Sequence, residues 1–294
     1  MAKSALLKSS IAKKYWMALT GLFLCLFLAG HLAGNLQLLI PDGALQFNQY
    51  ALFMTTNPAV KLLSYLTYFS ILFHAIDGIL LTIQNRKARP VKYAKENLGA
   101  NSGFASRNMA ILGTLILVFI VTHMTNFWAK MHFDENMPLM TTNITAQGNS
   151  ESYFVGTEVG KYYPVSQVKL ASDKADDPQN VMPKQYEIKN RTEIYFAAAD
   201  VKAGDIYKDL YQITIAFFQD KKFGLIATLG YALAMFVLGF HLWHGFQSSF
   251  QSLGLRSPKY YGFITKFGMA FSVVVPFLFA IVPIYIHFIL KLKP

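Results

Sequence analysis

The chain has 294 residues, of which 53% are hydrophobic and 15% are charged. Soluble domains carry about a quarter charged residues, so this composition is typical of a membrane protein and excludes an ordinary soluble domain. The formal net charge of +11 does not indicate nucleic-acid binding, because the sequence contains no soluble basic domain that would carry it.

Five long apolar runs predict five transmembrane helices, and therefore an all-α membrane protein built as a five-helix bundle. Each run has 22 to 25 residues, which at about 1.5 Å per residue is enough to cross about 30 Å of hydrocarbon. Asp77 is the only acidic or basic residue inside any of them. The first run is too long for a signal peptide and no small-x-small cleavage site follows it, so we expect it to be retained. The runs cover residues 16–40, 62–83, 108–129, 223–246 and 267–290.

Prolines and turn residues mark the ends of these helices. We predict the first helix over about 15–40, ending at "PDGALQ", and a second helix that starts at Pro58. The third helix is predicted over about 107–130. Pro276 and Pro283 predict a kink in the fifth helix, which neighbouring helices of a bundle can accommodate.

One extended polar region separates the third and fourth helices and divides the chain into 1–130, 131–212 and 213–294. Short runs such as "QYEIKN" and "EIYFAAADV" indicate a small cap of two to four strands in this region. The alternative, a long loop that shields the mouth of the bundle, is favoured.

The distribution of charge predicts how the chain crosses the membrane. Bases cluster in the N-terminal tail, in "NRKARPVKYAK" at 85–95 and around Arg256, whereas 131–210 holds 12 acids and 8 bases. The positive-inside rule then predicts a cytoplasmic N-terminus, an extracytoplasmic polar region and an outside C-terminus. Lys291 and Lys293 argue weakly against the last of these. The basic cytoplasmic face is suited to dock a partner or anionic membrane lipid.

Four histidines lie within four different predicted helices, and their depths sort them into two layers. His31 and His123 lie 11 and 7 residues before the nearest outer-side charge, and His74 and His241 lie 13 and 19 residues after one. At about 1.5 Å per residue, these spacings correspond to depths of roughly 16, 10, 20 and 28 Å. The first two therefore form an outer pair and the last two an inner pair.

Two layers of paired imidazoles predict two b-type haems, each with bis-histidine ligation. Neutral imidazole is a strong axial ligand for iron, and a second one closes the coordination sphere. A flat macrocycle also needs small side chains near the ligand. Gly78 and Gly245 each lie four residues after a histidine and therefore on the same helix face. The predicted iron ligands are His31 and His123 for the outer haem, and His74 and His241 for the inner haem.

Other polar residues near these histidines have open roles. His244 lacks the glycine spacing of His241, so it is predicted to bond a haem propionate or to lie at headgroup level. Asn35, Gln37 and Asn126 could bond a quinone carbonyl near the outer haem, but amides that bond backbone or propionates are the favoured alternative.

The remaining chemistry-bearing residues are predicted to be structural or interfacial. His132 and His287 lie near the outer rim. Asp77 is expected to form an ion pair with a base such as Arg86 or to be solvated, in preference to joining a proton path. Cys25 is the only cysteine, so no disulfide within the chain is possible, and it is predicted to pack.

Four motifs resemble those of the membrane-anchor cytochrome b of succinate:quinone oxidoreductases, in the branch where one five-helix chain binds two haems. They are "GHLAGN" (30–35), "FHAIDG" (73–78), "VTHMTNFW" (121–128) and "FHLWHGFQSSFQSLG" (240–254). In that family the histidines of the first and third helices form one pair, and those of the second and fourth helices form the other. The resemblance therefore implies the same two pairs, and its glycine spacing fits His241 rather than His244.

The resemblance implies an anchor in the bacterial cytoplasmic membrane for a flavoprotein subunit and an iron–sulfur subunit on the cytoplasmic side. Electrons would pass through two haems to membrane quinone, with menaquinone expected, in succinate dehydrogenase or fumarate reductase. The chain is then a non-catalytic subunit of that oxidoreductase, because it has neither a dinucleotide-binding glycine motif nor a cysteine cluster for iron and sulfur.

Two departures from the family pattern stand out. The outer polar region is much longer than the usual connection. Some members also carry a glutamate, implicated in proton movement, two residues before the inner-haem histidine of the fourth helix, whereas this chain has Gly239 there. A proton path of that design is therefore not expected.

Two other functions compete with this prediction. One is the cytochrome b anchor of another quinone-linked dehydrogenase, of the hydrogenase or formate dehydrogenase type. The other is a haem-free, proton-coupled transporter that uses its histidines as proton carriers.

Overall fold

The computed structural model describes residues 9–88, 90, 103–170 and 183–290. The tail bases Lys3 and Lys8, residues 91–95 of the basic connection, and Lys291 with Lys293 lie outside the described residues. The sidedness inferred from them remains a prediction.

Within the described ranges, five helices are long and apolar enough to cross a membrane. This confirms the predicted number of spans and the transmembrane character of the chain. We call them the first to fifth spans in chain order. They cover Ile11–Leu39, Pro58–Lys87, Met109–Phe133, Gly224–Ser252 and Pro258–Phe288.

The first half of the chain contains one helix that the sequence did not predict. The first span consists of α1 (Ser10–Asn35) and a 3-10 turn at Leu36–Leu39. The additional helix, α2 (Ala44–Thr56), follows it, and α3 (Pro58–Lys87) forms the second span. Asn57 separates α2 from α3, and its side-chain oxygen accepts from the backbone N–H groups of Ala59 and Val60 at 3.0 and 3.2 Å. This N-cap, followed by proline at the first helical position, fixes where α3 begins.

The third span changes its helical geometry before it ends. A short helix, α4 (Phe104–Arg107), precedes α5 (Met109–His123). A π-helical segment, Met124–Ala129, and a last turn, α6 (Lys130–Phe133), complete the span. A π-helical turn inside a helix often occurs at a functional site, and this one begins directly after a histidine.

The fifth span starts earlier in the chain than its apolar run does, and an additional helix precedes the fourth span. A second unpredicted helix, α7 (Leu210–Gln219), precedes α8 (Gly224–Ser252), and α9 (Pro258–Phe288) follows. The fifth apolar run begins at 267, but Ser257 caps α9 by accepting from the backbone N–H of Lys259 at 3.4 Å. Helical structure in α9 continues through the two prolines of the predicted kink.

The described part of the polar region contains seven strands. The prediction of two to four strands was therefore too low, and the favoured prediction of a long loop was wrong. The strands form two sheets, in the orders β1-β2-β3 and β4-β5-β6-β7. All neighbours are antiparallel except β4 and β5, which are parallel. The strands are β1 (Thr141–Ala146), β2 (Asn149–Val155), β3 (Tyr162–Pro164), β4 (Val168–Lys169), β5 (Tyr186–Lys189), β6 (Glu193–Phe196) and β7 (Val201–Asp205).

Contacts divide the chain into two compact units. Unit 1 contains 1–41, 57–123 and 217–294, and unit 2 contains 42–56 and 124–216. Unit 2 thus holds α2 as well as the strands, a grouping that differs from the division expected from hydropathy.

Unit 2 has its own apolar core and its own polar anchors. Ile194 and Val168 are 0% and 1% exposed at the centre of a buried cluster. Asn48 of α2, itself 1% exposed, donates to the carboxylate of Asp209 at 2.9 Å and accepts from the backbone N–H of Tyr211 at 3.1 Å. These two bonds tie α2 to the chain segment that leads into α7.

Two cations of unit 2 bind carbonyls at the end of α6. The Arg191 guanidinium donates to the carbonyls of His132 and Asp134 at 2.8 and 2.5 Å, and Lys208 donates to that of Met131 at 2.8 Å. Burial, together with the nearby charge of Arg191, lowers the pKa of Lys208. The last carbonyls of a helix have no partner within the helix, so these cations satisfy them and complement the helix dipole.

Unit 1 is a bundle of spans with an apolar centre. Met235, Leu238 and Leu242 of α8 are buried and pack with Cys25 of α1 and with side chains of α5 and α9. Cys25 is therefore a packing residue, as predicted. α8 and α9 approach each other closely at Gly239, where an added Cβ atom would lie 3.1 Å from the Ser272 carbonyl oxygen.

Candidate functional site

The four histidines singled out in the sequence form two pairs inside unit 1. The ring centroids of His31 and His123 are 5.8 Å apart and the ring planes meet at 83°. Those of His74 and His241 are 6.2 Å apart with an angle of 69°. Each pair joins two different spans, so tertiary packing brings together residues that are 92 and 167 positions apart in the sequence.

Aromatic side chains enclose the His31–His123 pair. Phe27 stacks on His31 with centroids 5.3 Å apart, and Phe119 stacks on His123 at 5.7 Å. Both phenylalanines lie one turn before their histidine on the same helix face. The Tyr231 ring of α8 lies 6.0 Å from His123. The rings thus limit the rotation of both imidazoles.

In the His74–His241 pair, a hydrogen bond between Thr20 and His74 indicates the tautomer of His74. The Thr20 hydroxyl lies 3.2 Å from His74 Nδ1 and 2.7 Å from the carbonyl oxygen of Trp16. A carbonyl can only accept, so the hydroxyl proton goes to Trp16 and the Thr20 oxygen accepts from His74. His74 therefore carries its proton on Nδ1, and its Nε2 lone pair remains available as a ligand.

Two glycines that the sequence analysis missed lie directly against this second pair. A Cβ atom on Gly21 would lie 3.1 Å from His74 Cε1, and one on Gly113 would lie 3.6 Å from His241 Cε1. The sequence contains a signal for both, because each lies ten residues before a histidine, Gly21 before His31 and Gly113 before His123. Since ten helical residues span about 15 Å, α1 and α5 each contribute a histidine to one pair and a glycine to the other, roughly 15 Å away.

Gly78 and Gly245 lie against methionine side chains, and their role in haem packing remains a prediction. A Cβ atom on Gly78 would meet the methyl group of Met17 at 3.6 Å, and one on Gly245 would meet that of Met109 at 3.8 Å. Neither glycine has a histidine ring among its nearest described atoms. The spacing argument used the i, i+4 relationship within one helix, whereas clearance beside each imidazole comes from the neighbouring helix.

His241, rather than His244, is the fourth-span histidine that pairs with His74. His241 Nδ1 is buried and has no hydrogen-bond partner among the described residues. His244 is partly exposed and lies one turn further along α8.

The amides near the His31–His123 pair have different environments. The Asn35 side chain donates to the His31 backbone carbonyl at 2.8 Å, and its nitrogen lies 3.4 Å from His31 Nε2. This bond agrees with the favoured prediction that the amide bonds the backbone and not a quinone. Gln37 Oε1 is buried and, within the described part of the chain, has no hydrogen-bond partner. Asn126 lies in the π-helical segment, in unit 2.

The peripheral histidines bond to backbone carbonyls. His132 donates through Nδ1 to the carbonyl of Trp128 at 2.8 Å and stacks on its ring at 4.6 Å. His287 donates through Nδ1 to the carbonyl of Phe218 at 2.6 Å. For Asp77, the described ranges show no ion pair with Arg86.

Chemically, each pair offers two imidazole nitrogens in a largely apolar setting. No group of three or more histidine, cysteine, aspartate or glutamate side chains that could hold a metal ion occurs among the described residues. A bare ion at either pair would therefore lack the three or four protein ligands that such sites ordinarily have.

Comparisons with known proteins give no match to this chain, whether with protein-family models, curated proteins or solved structures.

Proposed function

We propose that the protein is a dihaem cytochrome b that anchors a succinate:quinone oxidoreductase in the bacterial cytoplasmic membrane. The observation that carries the proposal is the pairing of four intramembrane histidines, two by two, across four spans. Imidazoles inside a membrane are costly unless something engages them, and two separate pairs are difficult to explain as packing.

The separation of the rings supports ligation from both sides of a metal. If the two imidazoles of a pair held one iron through bonds of about 2 Å, their ring centroids would lie roughly 6 Å apart. The two observed separations are 5.8 and 6.2 Å. Since each pair contributes only two nitrogens, the remaining ligands must come from the cofactor, and a porphyrin supplies four.

The residues around the His74–His241 pair also fit such a group. Thr20 holds the proton of His74 on Nδ1 and so directs Nε2 to the metal. Gly21 and Gly113 leave room beside the two rings, and His241 Nδ1 is a buried polar atom for which the described residues provide no partner.

Two b-type haems held in this way would supply one-electron exchange between a cytoplasmic donor and membrane quinone. The chain's own contribution is to hold and orient the four imidazoles. The apolar cluster around Met235, Leu238 and Leu242 excludes water from the centre of the bundle.

The rest of the proposal follows from charge and from the family resemblance. The basic connections face the cytoplasm, where a flavoprotein subunit and an iron–sulfur subunit dock, and the strands of unit 2 lie outside. The quinone is menaquinone. Gln37, whose buried side-chain oxygen has no partner in the described part of the chain, is the residue best suited to bond a quinol hydroxyl. The direction, succinate oxidation or fumarate reduction, depends on the partner subunits.

Haem analysis of the purified chain tests the proposal. We expect about two b-type haems per chain by pyridine haemochrome assay, and single alanine replacements of His31, His74, His123 or His241 should each remove one of them. His244→Ala is the matched control and should retain both. A chain without haem would eliminate the cytochrome and leave the transporter. In native membranes, reduction of the haems by hydrogen or formate but not by succinate would identify a different dehydrogenase.

A further inference from the structure

A small cavity with both polar and apolar lining residues lies between the end of α8 and the start of α9. Its volume is about 60 Å³, and its lining includes Gln247, Gln251, Arg256, Tyr261 and Thr265. One ordered water needs about 15 Å³ by the same measure, so the space suits a small tetrahedral group or a few waters.

The Thr265 hydroxyl is an unsatisfied polar atom in this cavity. Its oxygen is buried and has no hydrogen-bond partner among the described residues. Hydroxyls in the membrane spans usually bond a carbonyl three or four residues earlier, which satisfies them internally. Those that do so here include Thr20, Thr67, Thr82, Thr114, Ser249 and Ser272. Thr265 instead keeps its hydroxyl available to whatever occupies the cavity.

Arg256 supplies a positive charge with unused donors. Its guanidinium lies over the Tyr261 ring, 4.4 Å from the ring centroid. Within the described ranges its one hydrogen bond is a long one, 3.4 Å, to Gln251 Oε1. A guanidinium has five N–H donors in a planar fork that matches the oxygens of a phosphate. The contact with Tyr261 restrains the guanidinium beside the cavity.

The chain segment that forms the cavity carries only positive charges. Residues 221–290 contain no aspartate or glutamate, and Lys259 and Lys266 flank the start of α9. The N-terminus of this 31-residue helix adds its positive dipole end. Tyr260 and Phe263 beside it are 53% and 71% exposed, as aromatic residues at a membrane–water interface are.

We propose that this cavity binds one phosphate group, from the headgroup of an anionic phospholipid. Arg256 donates to the phosphate oxygens, Thr265 donates its hydroxyl, and the amides of Gln247 and Gln251 complete the polar lining. The inference is independent of the haem proposal, because none of these residues contacts a histidine pair.

Native mass spectrometry of the delipidated full chain in mild detergent tests the site. We expect phosphatidylglycerol to bind with one tight copy and phosphatidylcholine of the same chain length to bind more weakly. Arg256→Gln should weaken the tight copy about tenfold, because it removes charge-assisted hydrogen bonds. Thr265→Val keeps the side-chain shape and should weaken it severalfold. Lys259→Gln removes an equal charge that does not line the cavity, and should change binding less than twofold.

Inorganic phosphate distinguishes the source of the group. One outcome is that millimolar phosphate binds to the wild type but not to Arg256→Gln, while the two lipids bind with equal affinity. The site then takes free phosphate, and a lipid headgroup is not the source of the group. If Arg256→Gln and Lys259→Gln weaken lipid binding equally, or Thr265→Val has no effect, the attraction is a diffuse surface charge and the proposed site does not exist. Thermal melting of each variant checks that it is folded. If Arg256→Gln is not folded, Arg256→Lys, which retains the charge, replaces it in the experiment.

Discussion

Thr20 and His74, which lie 54 residues apart in the sequence, share a hydrogen bond of 3.2 Å between the hydroxyl oxygen and Nδ1. Thr20 is 5% exposed, and its hydroxyl proton is already donated to Trp16. The bond therefore sets the tautomer of His74 and the orientation of its ring. Among the described residues, His241 Nδ1 has no such bond, so the two imidazoles of this pair are held differently.

Thr20→Val should affect only one of the two proposed haems. The valine keeps the volume but removes the acceptor, and loss of such a bond behind a ligating histidine typically costs 10- to 100-fold in affinity for the metal group. Redox titration should show a raised potential or lowered occupancy for the haem of the His74–His241 pair, with the other haem unchanged. Thr20→Ser should restore the wild-type titration. Equal changes in both haems would show that Thr20 acts on the bundle and not on His74.

Gly21→Ala and Gly30→Ala form a matched pair in the same helix. The methyl group at Gly21 would lie 3.1 Å from His74 Cε1, so the ring must move by a few tenths of an ångström. At Gly30, no other described part of the chain comes within 4 Å of an added Cβ atom. We expect Gly21→Ala to perturb the absorption spectrum of one haem and Gly30→Ala to leave both spectra unchanged. If both variants have wild-type spectra, the space beside His74 is not required.

The sequence predicted the spans and the histidine pairs for a clear physical reason. Apolar length and charge position are properties of single helices, so five spans and the relative depths of the histidines could be read directly. Clearance beside a ring depends on which helix is its neighbour. The i, i+4 spacing within a histidine's own helix predicted Gly78 and Gly245. It could not predict Gly21 and Gly113, which lie on neighbouring helices.

Hydropathy also did not predict the helix boundaries and elements that depend on helix capping and on buried hydrogen bonds. The start of α9 depends on Ser257 and Pro258, nine residues before the apolar run, and α2 is anchored by the buried amide of Asn48. The strands of unit 2 are short, and β4 has only two residues. Runs of that length are ambiguous by periodicity, and their pairing depends on contacts far along the chain.

Asn48→Ala should destabilise unit 2. The change removes both hydrogen bonds of a fully buried side chain and leaves the backbone N–H of Tyr211 without its acceptor. The expected cost is about 2 kcal/mol in the free energy of unfolding. Hydrogen exchange of the amides in α2 and around Tyr211 would measure it. Asn143→Ala, at an exposed position in β1, should be neutral, and equal protection in the two variants would contradict the anchoring role.

Unit 2 should lose stability in acid through Glu193. Hydrogen bonds from Asn190 and from Lys202 hold the pKa of this carboxylate below its ordinary value of 4.5. Because the pKa is lower in the folded state, the contribution is complete above that value and is lost as the pH falls through the folded-state pKa. Melting followed by tyrosine fluorescence should therefore depend less on pH below 4.5 in Glu193→Gln than in the wild type. An unchanged acid slope would show that other carboxylates control it.

Gly239 allows α8 and α9 to approach closely beside a carbonyl of α9 that lacks its usual i+4 donor. Pro276 has no N–H, so it cannot bond the Ser272 carbonyl four residues before it, and that oxygen would lie 3.1 Å from a Cβ atom on Gly239. Gly239→Ala should cost about 1 to 3 kcal/mol by forcing the helices apart. Gly230→Ala, in the same helix with no atom within 4 Å, should be neutral or slightly stabilising. Thermal unfolding in detergent compares the two. A glutamate side chain at position 239 is larger than a methyl group. The same contact therefore explains why this chain cannot carry a glutamate there without repacking α9. A Gly239→Glu variant that is as stable as the wild type would refute this explanation.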